Sequence, residues 1–280
     1  MSRERVRSAV AMSVDDLRDH AVARFDRSEV KRIEIGSPTA LTLREDELGW
    51  WVSGASGGEL RADDGRVRSF VQDILDVRAD DFPPANTWEG RTAIDALPIR
   101  LWLGDATEPA LVEVDRWSAD EWSVTGPAQK TPVRVKLAPL PGMSLAVDPW
   151  TATSLLPVRD PQLTAVSLAT PHASFSAKRE GETWTPAAGA SVVSAVAASR
   201  VDRSRKVERP AASPTGRIEL EEDGHRLQTL ALFPALQNGD VPASDRDDGP
   251  VFVVSASQIE TIERAVSVDT QATAEPAASP

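Results

Sequence analysis

The chain has 280 residues, 41% of them apolar and 26% charged, a net charge of −12 and no cysteine. Such a composition belongs to folded proteins and gives room for two ordinary domains or one large one. It excludes disulfides, thiolate metal sites and a cysteine nucleophile, and its charge opposes nucleic acid, whose binding needs Lys and Arg to displace phosphate counterions.

Ser13 is placed to cap a short helix, with Asp15 and Asp16 in its first turn and Val14, Leu17, Ala21 and Val22 on one face. Residues 25–52 read as strand, turn, strand, with Arg44-Glu45-Asp46-Glu47 at the turn. After a loop at 54–65, Val67, Phe70, Val71, Ile74 and Leu75 form an amphipathic helical stripe, N-capped by Asp63 or Asp64. Phe82-Pro83-Pro84 ends that unit, and strands follow at 99–103, 111–114, 122–125, 133–137 and 143–147. Leu155 and Leu156 close the first half, and Pro157 and Pro161 bracket the junction.

The second half repeats the order. Strands are expected at 164–168, 174–178 and 183–185, and a helix over 192–201 capped by Ser191. Strands at 217–220, 227–233 and 251–254 and a last helix through Ile259, Ile262 and Val266 complete it. Ile33, Ile35 and Trp51 fall on Val166, Leu168 and Trp184 at one constant offset, the signature of an internal repeat. The expected fold is therefore α+β: two tandem strand-rich repeats, each an antiparallel sheet with one main amphipathic helix and a short closing helix. The expected organisation is a lead-in at 1–24, repeat one at 25–157, repeat two at 158–266, and a disordered tail at 267–280, poor in large apolar residues. Trp51 and Trp184 are expected to cover the seam between helix and sheet.

The segment Val14-Asp15-Asp16-Leu17-Arg18-Asp19-His20, then Phe25-Asp26, Val30-Lys31-Arg32-Ile33-Glu34-Ile35, Gly49-Trp50-Trp51-Val52 and Ala79-Asp80-Asp81-Phe82, resembles the bacterial domain of unknown function 4340. Met143-Ser144-Leu145-Ala146-Val147-Asp148 and Val251-Phe252-Val253-Val254-Ser255-Ala256 resemble that family's strand-to-short-helix endings. The resemblance covers most of 14–266 and rests on apolar, Gly and Trp positions. It implies an accessory protein of gliding-motility-type ABC transporters, with a transporter permease as partner and no catalytic residues. Such proteins are tethered by an N-terminal membrane helix and face the extracytoplasmic space. This chain departs from the pattern: no run of about 18 apolar residues is present, so no span is expected in it. The N-terminal residues also show no signal-peptide core. Two localisations follow, extracytoplasmic for a chain cut from a longer anchored protein and cytoplasmic otherwise.

The residues offer little chemistry. Gly54-Ala55-Ser56-Gly57-Gly58 matches the G-x-S-x-G nucleophile elbow in letters, but Ser56 sits in a Gly/Ser loop well before the next helix. His20, His172 and His225 share no ligand spacing. In Asp245-Arg246-Asp247-Asp248-Gly249 the alternation of a calcium loop fails, and Ser257 stands near where its glutamate belongs. The basic cluster Arg203, Arg205, Lys206 and Arg209 reads as a solvated loop. No catalytic, cofactor or metal residues are assigned, and no cofactor is expected. The function expected is thus a non-enzymatic structural or binding accessory. The alternative is a soluble carbohydrate- or peptide-binding module that uses exposed Trp88, Trp102, Trp117, Trp122 and Trp150 as stacking platforms.

Overall fold

The computed structural model describes residues 18–55, 58–135, 140, 143–156, 163–203, 206–222, 225–247 and 249–272. Two eight-stranded sheets with antiparallel registers account for most of its regular secondary structure. The first contains β1 (Val30–Ile35), β2 (Leu41–Asp46), β3 (Gly49–Gly54), β4 (Leu60–Arg61), β5 (Asp95–Leu103), β6 (Ala110–Arg116), β7 (Trp122–Thr125) and β8 (Val133–Val135), in the order β4-β3-β2-β1-β5-β6-β7-β8. The second contains β9 (Ala165–Ala169), β10 (Ser174–Glu180), β11 (Thr183–Thr185), β12 (Lys206–Val207), β13 (Gly216–Glu222), β14 (His225–Leu232), β15 (Val241–Ser244) and β16 (Val251–Val254). Its order is β11-β10-β9-β13-β14-β15-β16-β12.

The expected α+β class is therefore corrected. Sixteen strands stand against three α-helices among the described residues: α1 (Asp64–Asp76), α2 (Ala188–Ala198) and α3 (Ala256–Ala272). The sequence under-reports the sheets because β4, β12 and β15 have only two to four residues, too few for alternation to show. Pro242 further masks β15, which pairs with both β14 and β16.

Other expectations shift too. Residues 18–24 are not helical: Ala21 bridges Arg78, and the His20 carbonyl accepts from the Ala79 N–H. No strand forms over 143–147, and Trp51 lies on a third strand rather than at the end of a second. The last helix runs to Ala272, past the expected boundary at 266.

By contacts the chain divides into two units. The first comprises Met1–Glu45, Ser53–Ser56 and Asp64–Pro149, the second Asp46–Val52, Gly57–Asp63 and Trp150–Pro280. In the first, β1 runs between β2 and β5, with Ile33 opposite Leu43 and Leu101, and Ile35 opposite Leu41 and Ile99. All six side chains are fully buried, as are Val67 and Ile74 of α1.

The second unit has the same arrangement around β9. Val166 lies opposite Ala177 and Leu220, and Leu168 opposite Phe175 and Ile218. Val192 and Val196 of α2 and Ile259 and Ile262 of α3 close over this face in one core. Apart from the edge strands β4 and β12, the two sheets share a strand order, with one helix inserted before β5 in the first and before β13 in the second.

Trp184 covers the seam between α2 and its sheet. A Cβ added at Gly189 would come within 2.7 Å of the Trp184 ring and 2.8 Å of the Ala177 Cβ. Overpacking such a contact costs about 1–3 kcal/mol. Gly189→Val should therefore lower stability to urea by about 2 kcal/mol, while Ala190→Val, on the exposed side of α2, should cost far less. Equal stability of the two variants refutes the close packing.

Candidate functional site

In the first unit the chain turns after α1 into a short 3-10 segment, Ala85–Trp88, and Trp88 stacks on Trp117 just beyond β6. Their centroids are 4.9 Å apart at 19°. The Arg91 guanidinium lies 5.2 Å from both rings, and that of Arg134 on β8 lies 5.6 Å from Trp88. Glu121 joins the two cations, accepting from Arg91 at 2.6 Å and from Arg134 at 3.4 Å, and Arg134 also reaches Asp81 at 3.1 Å. The Arg91 hydrogen bond holds the Glu121 carboxyl below the usual glutamate range against its burial, helped by the Arg91 and Arg134 charges. Trp117 Nε1 donates to Ser123 Oγ at 2.9 Å, whereas Trp88 Nε1 is buried without an acceptor.

A second aromatic cluster lies wholly in the second unit. Trp51 Nε1 donates to Asp46 Oδ1 at 2.8 Å, and the Arg246 guanidinium sits 3.4 Å from the ring centroid. Arg246 also pairs with Asp46 at 2.6 Å and Glu59 at 2.8 Å. Arg61 approaches the same ring at 5.3 Å and packs against Gly49, whose φ of +119° and missing Cβ allow that approach. A small cleft opens beside it, lined by Leu48, Trp51, Leu156, Gln228, Thr229 and Asp245, with about 240 Å³ of empty space that includes open solvent.

Arg203 departs most from its sequence reading. Its side chain is 1% exposed, and it donates to the Ala152, Ser154 and Leu155 carbonyls and to Asp245 at 3.1 Å. It also lies 4.7 Å from the centre of the Phe252 ring. The basic cluster is thus no uniform solvated loop: Arg203 is an internal clamp, Arg209 bonds Ser244 and the Gly249 carbonyl, and Lys206 is exposed. No local pattern signals this, because Arg203's partners lie about fifty positions earlier and forty-two later in the chain.

The five candidate tryptophans are not bare platforms. Trp88 and Trp150, expected to be exposed, are only 7% and 1% exposed, a correction that places both in the core. Trp102, Trp117 and Trp122 are half-buried, and each has a guanidinium close to its ring, from Arg32, Arg91 and Arg116 respectively. The structure joins Trp88 to Trp117. A cation over a ring gains electrostatic energy without losing contact with water.

His20 Nδ1 lies 2.5 Å from the Ala79 carbonyl and its ring meets Phe82 edge-on, while His172 is exposed in a turn. His225 falls on β14, and its side chain lies outside the described residues, as do Ser56, Gly57 and Asp248. Among the described residues no group of three or more His, Asp or Glu is placed to hold a metal, and no helix is long and apolar enough to cross a membrane. Compared with family models, curated proteins and solved structures, the chain matches none.

On the exposed side of the first sheet, Asp115 is half-buried beside Glu113. Burial first, and the Glu113 charge second, push its carboxyl above the usual aspartate range. A raised folded-state value favours folding only while the group is protonated, and that contribution disappears as pH rises through it. Asp115→Asn should therefore be more stable than the parent at pH 7, and the gap should close below the ordinary aspartate range. Chemical denaturation across pH checks this; a gap that widens in acid contradicts it. For the clamp, Arg203→Leu should cost about 3–5 kcal/mol, because it leaves buried carbonyls and Asp245 without a donor. A loss below about 1 kcal/mol in urea unfolding removes that role.

Proposed function

We propose that this chain is a non-enzymatic, protein-binding accessory of a membrane ABC-type transport complex. The observation that carries the binding half of this reading is the use of the chain's aromatic and cationic side chains. Trp51, Trp88, Trp102, Trp117, Trp122 and Trp184 each have an arginine guanidinium within about 6 Å, the longest being 6.0 Å at Trp184. Side chains that would stack a sugar or hold an anionic substrate are spent on holding the fold.

The segments that carry the family resemblance are used in the same way. Val30, Ile33, Ile35, Trp50, Trp51 and Val52 are all buried, so the shared positions serve packing. A pattern made of packing positions suits a scaffold whose work is done by its surface. The transport-complex half of the reading comes from the resemblance to the domain of unknown function 4340.

For the sugar-binding alternative, Trp88 and Trp150 are buried, and a ligand on Trp102, Trp117 or Trp122 would share the ring with a neighbouring guanidinium. No observation favours it over the scaffold reading.

The test is affinity capture with the tagged chain from detergent-solubilised membranes of its own cells, read by mass spectrometry against a tag-only control. Specific enrichment of an ABC permease or its companion subunits is the expected result. Capture in which every specific partner is a soluble protein unrelated to transport refutes the membrane-complex reading.

A further inference from the structure

We infer that Asn238-Gly239 is a self-modifying site: the asparagine deamidates through a cyclic imide in the folded chain, and the product loosens the hold on the start of α3. This goes beyond the accessory role and does not depend on it.

The turn meets the chemical requirement. Closing the imide needs the backbone nitrogen of the next residue to reach the asparagine side-chain carbon, and a glycine there puts no Cβ in the way. Gln237 and Asn238 are the exposed central residues of a turn between β14 and β15, closed by the Gly239 N–H on the Leu236 carbonyl at 2.9 Å. The Asn238 side chain is folded forward over the following peptide. Its Oδ1 accepts from the Asp240 N–H at 3.2 Å, and its Nδ2 donates to Asp240 Oδ2 at 2.9 Å. That pose holds the carbon to be attacked close to the attacking nitrogen. The chain has one other asparagine, Asn86, and it precedes Thr87, whose branched side chain crowds the same approach.

The Gly239 nitrogen gives up its proton to solvent and bonds to the Asn238 side-chain carbonyl carbon. The bond from that carbon to Nδ2 breaks, and the nitrogen leaves as ammonia with a proton from solvent. Water then opens the imide at either carbonyl. One opening gives aspartate, the other an isoaspartate whose main chain runs through the side-chain carbon. Water is the only co-reactant. The Gly239 N–H must first leave the Leu236 carbonyl, an opening that costs little in an exposed turn.

What this turn holds gives the reaction a structural effect. Asp240 Oδ1 accepts from the N–H of Ala256, the first residue of α3, at 3.2 Å. It thereby satisfies one of the donors that a helix start leaves open. Gly239 packs against the same residue, since a Cβ added to it would lie 3.3 Å from the Ala256 Cβ. Both products put a carboxylate where an amide donated to Asp240, so a hydrogen bond becomes a like-charge contact. Isoaspartate also lengthens the main chain beside Gly239, against the helix. Because α3 carries Ile259 and Ile262 into the core of the second unit, a loosened anchor shows first in its opening turn.

The test incubates the intact folded chain for weeks in warm, mildly alkaline buffer and maps its peptides by mass spectrometry against an unincubated sample. Asn238 should convert to a mixture of aspartate and isoaspartate while Asn86 stays intact. Converted chains, separated by ion exchange on their added charge, are then followed by hydrogen exchange. The amides of Ala256, Gln258 and Ile259 should exchange about fivefold faster than in the parent, the effect of losing a cap. Asn238→Gln, whose longer side chain closes a ring slowly, should show neither change on incubation. Asn238→Asp should show the faster exchange without incubation. Conversion of Asn238 no faster than that of Asn86, ageing of Asn238→Gln like the parent, or parental exchange of α3 in converted chains overturns the inference.

Discussion

Strand register is the constraint from which the rest of this molecule follows. β1 and β9 each lie between two partners, so their backbone N–H and C=O groups are committed on both sides. Their apolar side chains, Ile33 and Ile35 in one and Val166 and Leu168 in the other, must all face the core. A slip of one residue would turn all of them to solvent at once. With burial worth roughly 1.5–3 kcal/mol per large aliphatic side chain, such a slip is prohibitive. The outer strands inherit their registers from these two, which is why strands as short as β15 can form.

Arginine does much of the remaining work. In a chain of net charge −12 the basic side chains are scarce relative to the acids. Many of them lie over aromatic rings or bond backbone carbonyls, where the guanidinium keeps several donors satisfied at once. Arg203 fixes residues 152–155 to Asp245, and Arg246 ties Asp46 and Glu59 together beside Trp51. Ion pairs that keep contact with water, as those of Arg246 do, add little individually. The buried Arg203 differs because its loss would strand several acceptors together.

Legibility in the sequence followed the length of each pattern. The five-residue apolar stripe from Val67 to Leu75 placed α1, and the alternation at Ile33 and Ile35 placed β1, because both signals span more than one period. The two-residue strands β4 and β12 have no period to detect. The α+β expectation erred for that reason, since the helices announced themselves and many strands did not. Surface features were partly readable: Leu111, Glu113 and Asp115 alternate with Val112 and Val114, so a wet face was visible, but the partial burial that raises the Asp115 carboxyl was not, because it depends on residues brought in from other strands.

The sequence by itself determined which stretches alternate, where the long helices lie, the recurrence of the Ile33–Ile35–Trp51 spacing at Val166–Leu168–Trp184, and the absence of cysteine chemistry. These are local or compositional properties, set by side-chain order along a single strand or helix. Only the tertiary structure decided that six tryptophans lie beside arginines, that Arg203 is buried, and that Trp88 stacks on Trp117. Those outcomes depend on which distant segments share a sheet, and the pairing energy that selects them is spread over many contacts far apart in the chain.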